Sequence, residues 1–139
     1  MDNKWYKKSY RRCLVDMHIP DWDERFLSEF DTDKYIEMMK LSGVDSAYIY
    51  ANSNVGLCNY PTKVGTMHKG LKGRDIIKEL TEGFNREGIN PILYINIWSK
   101  VAFDEHPEWR TINPEGKIST DYMFRKPGRY GVLCPNSGY

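Results

Sequence analysis

The chain has 139 residues, 40% of them hydrophobic and 28% charged, with a formal net charge of +1. That length suits one domain with a real core, and the near-neutral balance gives no reason to expect nucleic acid or an anionic membrane as partner. No apolar run approaches the ~20 residues that span a bilayer, and Cys13, Cys58 and Cys134 lack the spacing of a zinc site or a disulfide framework.

The basic stretch 4–12 contains Trp5, Tyr6 and Tyr10 and is not followed by a long apolar segment. It reads as a lead-in to a first strand and not as a signal peptide, so the expected compartment is cytoplasmic. Residues 12–18 alternate: Cys13, Val15 and Met17 on one face, Leu14, Asp16 and His18 on the other. A charged, aromatic loop over 20–30 precedes a helix capped by Asp31 or Thr32, with Tyr35, Ile36 and Met39 on its apolar face and Gly43 as its stop.

A second strand is expected over 46–52, with Ala47, Ile49 and Ala51 opposed to Tyr48, Tyr50 and Asn52. The long loop 53–72 carries Tyr60-Pro61-Thr62 and His68. Gly73-Arg74-Asp75 then opens a second helix with Ile76, Ile77, Leu80 and Phe84 on one side and Gly88 at its end. The third strand is expected over 92–98, setting Leu93, Ile95 and Ile97 against Tyr94, Asn96 and Trp98. From residue 99 onward the texture is that of turns, at His106-Pro107, Asn113-Pro114-Glu115-Gly116 and Lys126-Pro127-Gly128, with one short strand near 130–133.

The order β-α-β-α-β predicts an α/β fold: parallel strands joined by two crossover helices, followed by a long C-terminal loop region. Such a sheet has two outer edges to cover or pair. A fragment of a longer chain is therefore expected, and a homo-oligomer through the exposed sheet edges is an open alternative.

Several pieces resemble the N-terminal portion of a (β/α)8 glycoside hydrolase, namely the hypothetical glycosyl hydrolase 6 family and, more distantly, the α-L-fucosidase barrels. They are Asp16-Met17-His18, Phe30-Asp31, Tyr60-Pro61-Thr62 with His68, Gly73-Arg74-Asp75, Leu93-Tyr94, His106-Pro107-Glu108-Trp109 and Cys134-Pro135-Asn136-Ser137. The resemblance implies that residues 1–139 are the N-terminal half of a partial TIM barrel acting on carbohydrate. It also implies that His18 touches the sugar from the end of the first strand. Asn52-Ser53-Asn54 stands where fucosidase-like barrels carry paired histidines. The nucleophile of such barrels comes from a fourth strand and the acid later, so no catalytic residue is assigned in this chain, and no metal or cofactor.

Both faces of a strand must be weighed at each candidate. Asp16 is expected within an apolar strand, where it would bind sugar hydroxyls, orient His18, or pair with Arg12 or a loop arginine. His18, His68, Tyr60, Asn96 and Trp98 complete the expected substrate-binding set. The alternatives are a satisfied core histidine for His18, an exposed loop residue for His68, and barrel filling for Trp98. Trp109 is expected to pack the long loop. Two other functions remain open at this level: a metal-dependent hydrolase with Asp16, His18 and His68 as ligands, and a non-catalytic sugar-binding or assembly module.

Overall fold

The computed structural model describes residues 4–119 and 131–139. In chain order its elements are β1 (Arg12–Cys13), α1 (Thr32–Leu41), β2 (Ser46–Tyr50), β3 (Leu57–Cys58), β4 (Thr66–Met67), α2 (Ile76–Arg86), β5 (Asn90–Tyr94) and α3 (Lys100–Glu105). β1, β2 and β5 form a parallel sheet with β2 in the middle. The register sets Cys13 against Ala47, Ile49 against Leu93, and Tyr50 against Tyr94. With α1 and α2 as the crossovers, the chain is a partial α/β barrel.

Local chemistry places the helices where the sequence predicts them. The Asp31 side chain accepts the Lys34 N–H and starts α1; Asp75 does the same for the Lys78 N–H and starts α2. Gly43 and Gly88, at φ of 63° and 72°, take the left-handed conformation that ends each helix cheaply only without a Cβ. Ile36 and Met39 of α1 meet Leu80 and Phe84 of α2 over Ala47 and Ile49 of the sheet, with Ile89 closing the cluster. Phe84 is wholly buried, which is worth about 1.5–3 kcal/mol of transfer free energy. The N-terminal end of the sheet is closed by polar contacts. Asp45 accepts from the backbone N–H groups of Tyr10 and Arg11 and pairs with the Arg11 guanidinium at 2.8 Å.

Three expectations need correction. The first strand does not run over 12–18: only Arg12 and Cys13 pair with β2, and Asp16 lies beyond the strand, exposed. Leu14 and Val15 are exposed too, while Met17 is buried, so the alternation of 12–18 does not carry a buried face throughout. The third strand starts two residues early and stops at Tyr94. Pro91 is accommodated because β5 pairs on one side only among the described residues. The second strand ends at Tyr50, and Asn52 instead forms an isolated antiparallel bridge with Cys58.

The loop 53–72 contains the small parallel pair β3–β4, which alternation does not signal. Helix α3, capped by Ser99, also falls where only turns are expected. Ala102 and Phe103 of α3 pack on Leu133, Trp109 and Ile118, and the Arg110 guanidinium lies 4.5 Å from the Phe103 ring. Trp109 thus packs the long segment, as expected of it. Leu133 bridges Arg110; the rest of the strand expected near 130–133 reaches outside the described residues, as does the turn at Lys126-Pro127-Gly128.

Candidate functional site

The site is built where the strands end. Tyr50 and Tyr94 close β2 and β5 as registered partners, and their rings stack at 4.2 Å. His18 arrives from the segment after β1 and sets its ring edge-on to both, 5.2 Å from Tyr50 and 6.1 Å from Tyr94. Beneath lie Met17, Leu71 and Ile76, with Leu27 and Met67 at the margin. An aromatic floor with polar tips is the result.

The polar groups above that floor are ordered by backbone donors. The Asn54 N–H donates to His18 Nδ1 at 3.3 Å. An amide can only donate, so Nδ1 is the unprotonated nitrogen and Nε2 carries the hydrogen. Nε2 faces the Asp16 carboxylate at 3.7 Å, and that carboxylate also accepts the His18 N–H at 3.2 Å. Burial first, then the Asp16 charge, pushes the Tyr50 hydroxyl up to about 12, so it stays protonated and donates to Asp16. Asp16 is exposed with its side chain 69% accessible. It is a solvated acceptor at the rim, not the buried charge expected from strand alternation.

Asn96 joins through Tyr94: its Nδ2 donates to the Tyr94 hydroxyl at 3.2 Å. The same side chain accepts the Trp98 N–H at 2.8 Å, a local turn that takes the backbone out of β5. Asn52 and Asn96 are doubly joined, Asn52 Nδ2 donating to the Asn96 carbonyl and the Asn96 N–H donating to Asn52 Oδ1. Ser53, between Asn52 and Asn54, has a buried hydroxyl without a hydrogen-bond partner among the described residues. Asp16, His18 and Asn96 are therefore brought together around the tyrosine pair. Trp98 follows immediately and is 38% exposed.

His68 and Tyr60 are elsewhere. His68 is 1% exposed; its Nδ1 accepts the Gly70 N–H at 3.1 Å and its Nε2 lies 3.0 Å from the Pro20 carbonyl. It fastens loop 20–30 to the segment after β4 and is neither exposed nor beside the stacked Tyr50 and Tyr94. Tyr60 lines a groove with Ile77, Lys78, Leu93 and Ile95, on the helix side of the sheet, and its hydroxyl interacts with the Cys58 thiol. Among the described residues no group of three or more His, Cys, Asp or Glu is arranged to hold a metal ion. The Asp16, His18 and His68 set considered from the sequence is not assembled.

Sequence reasoning missed the Asn54 amide, because a backbone donor leaves no residue-type signal. It also missed the Asn52 clamp; the only trace was a short polar side chain just past a strand, where it can mimic backbone bonding.

The hypothetical glycosyl hydrolase 6 family model matches residues 31–139, which is most of the chain. The chain belongs to that family. The match opens at α1 of this hypothetical glycosyl hydrolase 6 member, so Asp16 and His18 precede it. Among solved structures, the α-L-fucosidase isoenzyme 2 from Paenibacillus thiaminolyticus superposes with a TM-score of 0.72 at 22% identity, over 86% of this chain and 18% of that one. An α-L-fucosidase from Bacteroides thetaiotaomicron matches at 31% identity over 48% of this chain and 16% of its own, with a TM-score of 0.42. The likeness to the Paenibacillus enzyme is one of fold alone, and the chain spans under a fifth of either enzyme. No curated protein matches the chain.

Proposed function

We propose that this chain supplies part of the substrate pocket of a glycoside hydrolase, as the N-terminal half of a (β/α)8 barrel whose catalytic carboxylates lie outside residues 1–139. The observation that carries the reading is His18, fixed by the Asn54 amide so that an Nε2–H donor stands beside the Asp16 acceptor, over stacked Tyr50 and Tyr94. A neutral donor, a carboxylate acceptor and aromatic surfaces suit a polyol with apolar ring faces. Their place beyond the C-terminal ends of parallel strands is where barrels build sites. Asp16, His18 and Asn96 contact the sugar in this reading, with Trp98 at their side. His68 and Tyr60 support the surrounding loops.

Unpaired Cys13, Cys58 and Cys134 suit a reducing, cytoplasmic compartment. Among the described residues no helix is long and apolar enough to cross a membrane. The test is turnover of a panel of aryl glycosides by the complete protein, alongside calorimetric titration of the 139-residue chain with the same sugars. His18→Ala should weaken sugar binding about 5- to 13-fold, since a lost hydrogen bond in a polar site is worth about 1–1.5 kcal/mol. Unchanged affinity in that variant would remove the reading.

A further inference from the structure

Loop 20–30 carries a large aromatic surface that the pocket described above does not use. Trp22 is 76% exposed, yet its ring is braced edge-on by Phe26 at 4.8 Å and 87°. Single exposed apolar residues are ordinary. What separates Trp22 is the effort spent on holding its loop still. The Pro20 carbonyl is bonded to buried His68, and Lys69 approaches Asp21 at 3.9 Å. Asp23 pairs with Arg25, and the Phe26 N–H bonds to the Asp23 carbonyl. Gly70 lets the loop backbone pass so closely that a Cβ there would lie 1.8 Å from the Phe26 carbonyl oxygen. Leu27 then enters the same apolar cluster as Tyr50 and Tyr94.

Both ends of the loop are thus anchored, one at buried His68 through Pro20 and one beneath the tyrosine pair through Leu27. Trp22 is four residues from His18, so the two backbones are at most about 14 Å apart. An exposed indole braced by Phe26, on the loop that leaves the same end of the sheet as His18 and within that reach of it, matches the C–H face of a second ring extending outward from a bound sugar.

We infer that Trp22 is a stacking platform for the second ring of a glycoside, the residue or aglycone attached to the sugar held at His18. This rests on the pocket reading above and adds the class of substrate: a glycoside with a ring on its far side, not a free monosaccharide. Asp23 and Arg25 border the platform as a compensated pair, so recognition there is by ring surface and not by net charge.

The test uses the 139-residue chain and matched probes, the methyl and p-nitrophenyl glycosides of L-fucose, D-galactose and D-glucose, the nitrophenyl ring standing for the second ring. In the native chain the aryl member of a bound pair should bind about 3- to 10-fold more tightly than its methyl partner, and only the aryl probe should move the Trp22 indole N–H resonance. Trp22→Ala should bring that ratio to about 1 while leaving the methyl glycoside's affinity unchanged, and Trp22→Tyr should retain most of it. Because Trp22 is exposed, both variants should keep the native circular dichroism spectrum. An aryl preference that survives Trp22→Ala, with methyl glycoside binding still dependent on His18, overturns the platform and leaves the pocket standing. No binding of any probe overturns both.

Discussion

His68→Ala separates a structural role for this histidine from a ligand-binding one. The ring is 1% exposed and spends both nitrogens on backbone groups 48 and 2 residues away. Since the Gly70 N–H can only donate, Nδ1 accepts and Nε2–H donates to the Pro20 carbonyl. Alanine leaves a buried donor and a buried acceptor unpaired, at about 1–3 kcal/mol each. Water entering the vacated space recovers part of that, so we expect a net loss of about 2–4 kcal/mol. For a domain of this size the loss corresponds to a fall in Tm of roughly 10 °C. Urea unfolding followed by circular dichroism reads it directly, and amide exchange should quicken first across 20–30, the loop the ring fastens. His18→Ala, by contrast, releases one part-buried amide contact and the edge-on ring contacts to Tyr50 and Tyr94, and should cost less, about 1–2 kcal/mol. A His68→Ala chain as stable as the native one, with sugar binding abolished, would refute this assignment and return His68 to the pocket.

Other substitutions probe the frame. Gly83→Ala places a Cβ 2.1 Å from the Ile36 side chain where α1 and α2 touch, so despite better helix propensity it should lower urea stability by about 1–3 kcal/mol. Asp45 is held down at about 2 by its bonds to Arg11 and to backbone N–H groups, from an ordinary 3.8. A depressed carboxyl adds stability above its unfolded value and loses it as the pH falls through the folded one, so the native chain should lose more stability than Asp45→Asn between pH 3.8 and about 2. Equal pH slopes for the two chains would contradict that. Leu93, Ile95 and Ile97 are 52%, 68% and 73% exposed, Leu93 and Ile95 lining one groove, and we expect concentration-dependent association of the 139-residue chain in sedimentation, diminished by Ile95→Lys. A monomer at all concentrations would count against it.

The helices were legible in the sequence because their signals are local. Asp31 and Asp75 cap, Gly43 and Gly88 stop, and Leu80 and Phe84 with Ile77 face the core shared with α1, while Ile76 serves the cluster under the tyrosines. β2 was legible for a similar reason, with Ala47 and Ile49 fully buried behind it. Strand ends were not, because alternation continues through extended chain that no longer pairs. Past Cys13 the chain is steered by the Asn54 amide on His18, and past Tyr94 by Asn96. Leu93, Ile95 and Ile97 show the limit plainly. Alternation was read through all three, but β5 stops at Tyr94, and among the described residues all three are exposed and not beneath the expected helical coat. The burial of His68 was not legible because its Pro20 partner is 48 residues away, and nothing near it in the chain announces a buried ring. The rim residues Asp16, His18 and Asn96 were found through residue type, and only the fold could say that they share one pair of tyrosines.

At Asn52 a side-chain amide does the work of a missing peptide unit. It offers a donor and an acceptor to the backbone of Asn96 just as a neighbouring strand would, so the sheet gains one more rung after the second strand has already turned away. The two strand tips can splay without coming uncoupled, and the opening of the barrel is held at a set width. Each of those two atoms spends one hydrogen-bonding position on the clamp and keeps a second, so the amide is fixed in orientation without being saturated. The position is thus committed to holding the ends of β2 and β5 together.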